Sequence, residues 1–212
     1  MPRTRIKICG VRTPDIAIAC AEAGADAIGL VFHEPSPRYI PPEQAWRLIA
    51  ELPPFVATVG LTVNASVDQY TAIEEVCPTD YGQLHGEETE KVVQSCGPRI
   101  FKAVRFNPDT IENDLKYWSA IEEVDAILID GSPGGRGESF DWAALAQVRA
   151  ASARPLILAG GLTPDNVGEA IRAVRPYAVD VSSGVETAPG EKDADLIRVF
   201  CDAVRAADAF SG

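Results

Sequence analysis

No C-x-x-C pair occurs in this chain, and its five scattered cysteines are accompanied by only two histidines, His33 and His85. A zinc site and a disulfide framework are therefore not expected, and the thiols should be reduced. No apolar run approaches the roughly 18 residues that span a bilayer, which argues against a membrane protein. The opening MPRTRIKICG has neither an apolar core region nor a small-residue cleavage site, so export is unsupported and the cytoplasm is the expected compartment. Basic residues are outnumbered as well. A formal charge of −12 leaves no basic footprint for nucleic acid or an anionic membrane surface, so any anionic ligand needs a local site. The dinucleotide fingerprint G-x-G-x-x-G is also missing, since the turn after the first apolar run reads CGVRTPD.

What is present is a soluble globular pattern of 212 residues, 46% hydrophobic, long enough to bury a substantial core. Short β-branched runs fall at 6–9, 26–32, 55–63, 81–85, 100–106, 124–130, 155–160 and 177–183. Helix-like segments lie between them. Start signals stand at Thr13-Pro14-Asp15, Pro41-Pro42-Glu43, Ser66-Val67-Asp68, Thr163-Pro164-Asp165 and Asp193, and Gly24 and Gly97 stand where helices should stop. Strict strand–helix alternation implies parallel strands, in an open doubly wound sheet or a closed (β/α)8 TIM barrel. Eight evenly spaced repeats favour the barrel. No linker or low-complexity tract divides the chain, so 1–212 is read as one domain.

Side chains alternate faces along a strand, and one face of a barrel strand points inward. Ile6 and Ile8 share one face and Lys7 and Cys9 the other; Leu84 opposes Gln83 and His85. Ile127 and Ile129 oppose Leu128 and Asp130, while Val179 and Val181 oppose Asp180 and Ser182; Lys102 alternates with Phe101 and Ala103. Aliphatic residues suit helix packing outside, which leaves the polar parity inside. Cys9, His85, Asp130 and Ser182 should then converge at the C-terminal ends of the strands, where barrel enzymes place their sites. Taken singly, each could be a hydrogen-bonded core group, and Cys9 a small buried hydrophobe. Four with the same parity point to chemistry. Glycine-rich turns follow the sixth, seventh and eighth runs (GSPGGRG, AGGLTPDN, SSGVE), and turns after strands seven and eight are a common phosphate site in barrels.

The motifs KICG (7–10), FHEPSPRYI (32–40), QLHGEE (83–88), ILID (127–130), LAGGLTPDNV (158–167), DVSSGVE (180–186) and PGEKD (189–193) resemble, in order, the phosphoribosylanthranilate isomerase family of tryptophan biosynthesis. The resemblance implies a cofactor-free and metal-free barrel, a small phosphorylated substrate, and a monomer or homodimer. It implies an Amadori rearrangement with Cys9 as general base and Asp130 as general acid. Arg38 would hold the anthranilate carboxylate, and Gly160, Gly161, Ser183 and Gly184 the phosphate. His85, Asp180 and Ser182 would line the site. A thiol base is helped by a nearby cation, and Lys7, two residues away on the same face, is the candidate. Two positions depart from the family pattern: Arg136 stands between glycines, read as facing water, and Thr62 stands where an aromatic is common.

Two rival readings exist. A Schiff-base aldolase needs an inward lysine, for which Lys7 and Lys102 are available, although neither stands at the mouth of its strand. A phosphorylated-metabolite binding module would need no proton-transfer pair, yet both members are present.

Overall fold

The computed structural model describes residues 3–131 and 140–209. A half-apolar strand must pair to bury its face, and crossovers long enough to hold a helix make sequential neighbours parallel. Among the described residues the order is β1 (Arg5–Cys9), α1 (Pro14–Glu22), β2 (Ala27–Val31), α2 (Pro42–Ala50), β3 (Ala57–Thr62), α3 (Val67–Val76), β4 (Tyr81–Leu84) and α4 (Glu90–Cys96). Next come β5 (Ile100–Arg105), α5 (Ile111–Ser119), β6 (Val124–Asp130), α6 (Trp142–Val148), β7 (Leu156–Leu158), α7 (Val167–Val174) and β8 (Ala178–Val181). Strands β1 to β8 pair in sequence order, and β8 pairs back to β1, which closes the barrel and removes the open sheet from consideration. Between β8 and the last helix, α8 (Ala194–Ala209), runs a short hairpin that the strand pattern did not announce: β9 (Glu186–Ala188) and β10 (Glu191–Lys192).

Local chemistry explains most boundaries. Thr13 caps α1 by accepting from the Ile16 N–H, with Pro14 at the first position. The helix stops at Gly24, whose φ of +85° is the left-handed conformation that glycine adopts without strain. Ser66 and Gln69 form a reciprocal capping box on α3. Two signals resolve differently from the sequence expectation. Helix α7 starts at Val167, not directly after the Thr163 signal, because the Asn166 side chain turns back to the Thr163 N–H and the Gly161 carbonyl (both 2.8 Å) and so shapes the preceding loop. Gly97 does end α4, but with extended backbone; its missing Cβ makes room for Glu123.

The pleat sorts the strands as their alternation predicts. Ile6, Ile8, Ile28, Leu30, Ile127, Ile129, Val179 and Val181 join helix residues such as Leu145 and Phe200 in the layer outside the barrel. Ala103, Ala126, Leu128, Ile157, Ala159 and Ala178, with Phe101, form a separate inner cluster. Each fully buried large aliphatic in these layers is worth about 1.5–3 kcal/mol relative to exposure. Parity also corrects one expectation: with Phe101 and Ala103 inside, Lys102 points outward. Its Nζ donates to Glu88 Oε2 (2.7 Å) and to the carbonyls of Gly86 (2.7 Å) and Leu84 (3.3 Å), under the Trp118 ring. It is unavailable to an aldolase reading. No helix among the described residues is long and apolar enough to cross a membrane.

Candidate active site

At the C-terminal ends of the strands lies an open-mouthed cavity of about 1030 Å³, part of that space being open to solvent. Cys9, Arg38, His85, Asp130, Gly160, Gly161, Asp180, Ser182 and Ser183 all line it. Gly184 does not. A Cβ there would fall 1.9 Å from the Leu162 carbonyl oxygen, so its place is where the turn after β8 presses on the turn after β7. Of the residues marked as departures, Thr62 is buried away from the cavity, and Arg136 lies outside the described residues.

Cys9 enters from the end of β1, buried beside Val31 and Leu61. The following Gly10 has φ +84°, and a Cβ on it would sit 2.7 Å from Arg38 Cδ. The C-G pair therefore gives the thiol its strand-end position and lets the Arg38 stem cross the chain directly behind it. Lys7 and Asp180 are register partners on adjacent strands β1 and β8, and Lys7 Nζ donates to Asp180 Oδ1 at 2.8 Å, with both side chains buried. Burial works to lower the Lys7 pKa, but Asp180 and Cys9 outweigh it and hold the ammonium above its ordinary value. Burial pushes the Cys9 thiol up, with Asp180 adding to the rise, against the opposing pull of Lys7 and Lys192.

Asp130 ends β6 across the mouth from β1 in strand order. Its Oδ1 lies so close to Gly160 that a Cβ there would come within 2.8 Å, and Gly160 (φ +81°) and Gly161 (φ +66°) both hold left-handed backbone. A chain with side chains at these two positions could not make this turn without strain. His85 Nε2 stands 3.4 Å from Asp130 Oδ2, while its Nδ1 lies 2.7 Å from Gln83 Nε2. With Gln83 donating, Nδ1 is the acceptor and Nε2 carries the hydrogen that faces Asp130.

Arg38 reaches the cavity from the loop after β2, which is tied back to that strand by the Ile40 N–H to Val31 carbonyl bond (3.0 Å). Its guanidinium is forked onto Glu186, Nε to Oε1 at 2.8 Å and Nη2 to Oε2 at 2.7 Å. Lys192 Nζ bonds the same Glu186 Oε1 and reaches the Ser182 carbonyl at 3.0 Å. Burial would raise the Glu186 pKa, yet Arg38 and Lys192 hold the carboxyl below its ordinary range.

Strand parity and glycine turns thus point to lining residues that the structure does gather at one mouth. Sequence reasoning assigned no role to Gln83, Glu186 or Lys192. Gln83 was visible as inward parity next to His85; Glu186 and Lys192 belong to the hairpin, and parity of the eight strands says nothing about them. No group of three or more His, Cys, Asp or Glu side chains among the described residues is placed to hold a metal ion.

The class defined by this fold and cavity is a (β/α)8-barrel protein whose C-terminal mouth combines an acid, a thiol, a guanidinium and glycine turns. The model of the N-(5'phosphoribosyl)anthranilate (PRA) isomerase family matches residues 6–203, and the chain belongs to that family. The N-(5'-phosphoribosyl)anthranilate isomerase of Pseudomonas putida (strain GB-1) is 50% identical over 212 residues, which covers 98% of this chain and 100% of the relative. The crystal structure of the Thermotoga maritima phosphoribosyl anthranilate isomerase superposes with TM-score 0.88 at 42% identity, covering 96% of this chain and 99% of that one. A phosphoribosyl anthranilate isomerase in complex with reduced 1-(o-carboxyphenylamino)-1-deoxyribulose 5-phosphate gives TM-score 0.85 at 40% identity, with the same coverage. Monomers generated from the dimeric Thermotoga maritima enzyme give 0.84 at 39%, again with that coverage.

Proposed function

We propose that this chain isomerises N-(5'-phosphoribosyl)anthranilate to 1-(2-carboxyphenylamino)-1-deoxyribulose 5-phosphate, in the cytoplasm and within tryptophan biosynthesis. The observation that carries the reading is that Cys9 of β1 and Asp130 of β6 line one cavity together with Arg38 and the Gly160-Gly161 turn, in a chain of this family.

In this reading the phosphate binds at the turns after β7 and β8, through Gly160, Gly161 and Ser183, with Gly184 letting the two turns touch. The carboxylate binds Arg38, which leaves the sugar between thiol and carboxyl. Asp130 gives its proton to the ring oxygen as the C1–O bond breaks and the nitrogen lone pair forms the imine. Cys9, as thiolate, takes the proton from C2, and the electron pair left behind makes the C1=C2 bond of the enolamine, which relaxes to the ketone as C1 takes up a proton and the C2 hydroxyl gives one to water. His85 holds the Asp130 carboxyl through Nε2. Asp180 holds Lys7 beside the thiol, and Ser182, whose hydroxyl donates to the Cys9 carbonyl at 3.0 Å, fixes the end of β1. Every group the reading uses comes from one chain, so it suits a monomer or a homodimer of complete barrels. The dimeric relative favours the homodimer, which sedimentation velocity tests.

The decisive experiment follows the fluorescence of freshly made substrate. Wild type should turn it over, and Cys9→Ala and Asp130→Ala should each lower kcat by about 10²–10⁴-fold, the range for loss of one general acid or base, while retaining substrate binding. Binding without turnover by wild type would mean a metabolite-binding module instead.

A further inference from the structure

Arg38 has five N–H donors in a planar fork, and the structure shows where two of them go. Nε and Nη2 are spent on Glu186, through bonds of 2.8 and 2.7 Å, and the side chains of Glu186 and Lys192 are only 4% and 2% exposed. Burying a carboxylate this deeply is costly unless its partners are fixed, and here they are. Lys192 and Glu186 are register partners across β10 and β9, and Lys192 is itself anchored on the Ser182 carbonyl at 3.0 Å. The hairpin also grips the loop that carries Arg38. Arg12 Nη1 donates to the Pro37 carbonyl (3.0 Å) and the Gly190 carbonyl (3.4 Å), and Gly190, at φ +86°, approaches Pro37 so closely that a Cβ would lie 2.3 Å from its carbonyl oxygen. One edge of the guanidinium is thus clamped from behind. The opposite edge, Nη1 with the second Nη2 hydrogen, is left as a second fork of the shape that accepts a carboxylate through two parallel bonds.

We propose that Glu186, seated by Lys192 on the β9–β10 hairpin, is the positioning residue that orients Arg38 so that its free edge selects a substrate bearing a carboxylate. This rests on the isomerase reading of the cavity and deepens it. Glu186 touches no reacting atom. It converts a flexible four-bond side chain into a fixed receptor, so its loss should appear in affinity and selectivity and leave the proton-transfer step alone. A competing role, in which Glu186 occupies the guanidinium until substrate displaces it, has the opposite sign.

The test compares wild type with Glu186→Gln, which weakens the clamp without changing its size. Turnover gives KM and kcat, and calorimetry gives the affinity for two probes: reduced 1-(o-carboxyphenylamino)-1-deoxyribulose 5-phosphate and its aniline-derived counterpart lacking the carboxylate. The expected result is a KM raised roughly 10- to 100-fold with kcat within a few-fold of wild type, on the scale of a misplaced positioning group. The carboxylate probe should weaken to match, while binding of the descarboxy probe stays unchanged. Equal weakening of both probes, unchanged affinity, or tighter binding of the carboxylate probe overturns the proposal. If Glu186→Gln does not fold, Glu186→Asp, which keeps the charge and shortens the reach by one methylene, is read by the same ratio. A wild type with no turnover that still prefers the carboxylate probe would sink the isomerase reading and leave the clamp standing.

Discussion

A thiol buried among apolar side chains resists ionisation, and the proposed base carries that handicap. Burial raises the Cys9 pKa, Asp180 adds to the rise, and the cations Lys7 and Lys192 oppose it. The signs follow. Removing Lys7 takes away a pull toward the thiolate and leaves the Asp180 charge uncompensated, so Lys7→Met should move the acidic limb of the pH profile of kcat/KM to higher pH, by about one unit or more. Asp180→Asn removes a group that raises the thiol pKa, and its limb should move to lower pH. Opposite displacements in the two variants are the measurement that matters, because generic damage would lower the rate without moving either limb in a chosen direction. An unmoved limb in Lys7→Met would mean that Lys7 serves Asp180 alone. The parity of RIKICG makes Lys7 and Cys9 visible as inward neighbours in the sequence alone. The Lys7–Asp180 pair is not visible there, because the two residues stand 173 positions apart and meet only through the register of β1 on β8.

At the scale of the elements, the outer face of β5 carries a further buried ion pair that ties down the loop after β4. Lys102 bonds Glu88, which in turn accepts from the backbone N–H groups of Asn64 (2.9 Å) and Gly86 (2.9 Å), so one carboxylate joins the loop after β3, the loop after β4 and strand β5. Burial would raise the Glu88 pKa, but Lys102, the Asn64 N–H and the backbone N–H of Glu88 itself hold it below the ordinary value. A carboxyl depressed in the fold contributes stability that is present above its unfolded pKa, about 4.3, and is lost as pH falls through the folded value. Lys102→Met strands a buried charge, and at pH 7 it should cost about 3–5 kcal/mol in urea unfolding. The gap between variant and wild type should narrow as pH falls from 7, first as the unpaired, buried Glu88 of the variant takes up a proton and then, below about pH 4.3, as the wild-type carboxyl does. A constant gap would show that Lys102 matters through packing on Trp118, not through charge. The eight strands and most helices were legible because period-2 runs and capping residues are local signals. Lys102 was not, since lysine in an apolar run fits either face until its neighbours are known, and the β9–β10 hairpin was not, since strands of three and two residues carry no period.

For the molecule as a whole, the closed barrel brings together residues from both ends of the chain, and that convergence could be read from parity and glycine turns before any coordinates. The electrostatic partition could not. A formal charge of −12 belongs to a chain whose mouth sets Lys7, Arg38 and Lys192 against Asp130, Asp180 and Glu186, so its pull on an anion comes locally from Arg38 and the glycine turns. A substrate carrying a phosphate and a carboxylate is therefore repelled by the distant surface and attracted only at close range. Salt treats these two effects differently. The Debye length falls from about 30 Å at 0.01 M to about 8 Å at 0.15 M, which screens the far surface while the half-buried Arg38 of the cavity wall is screened much less. Raising sodium chloride from about 10 to about 150 mM should then increase kcat/KM a few-fold, chiefly through a lower KM, the reverse of the fall expected of an electrostatically steered encounter. A kcat/KM that falls over this range would mean that the cations of the mouth already govern the approach from long range, and that the acidic surface faces away from the path the substrate takes.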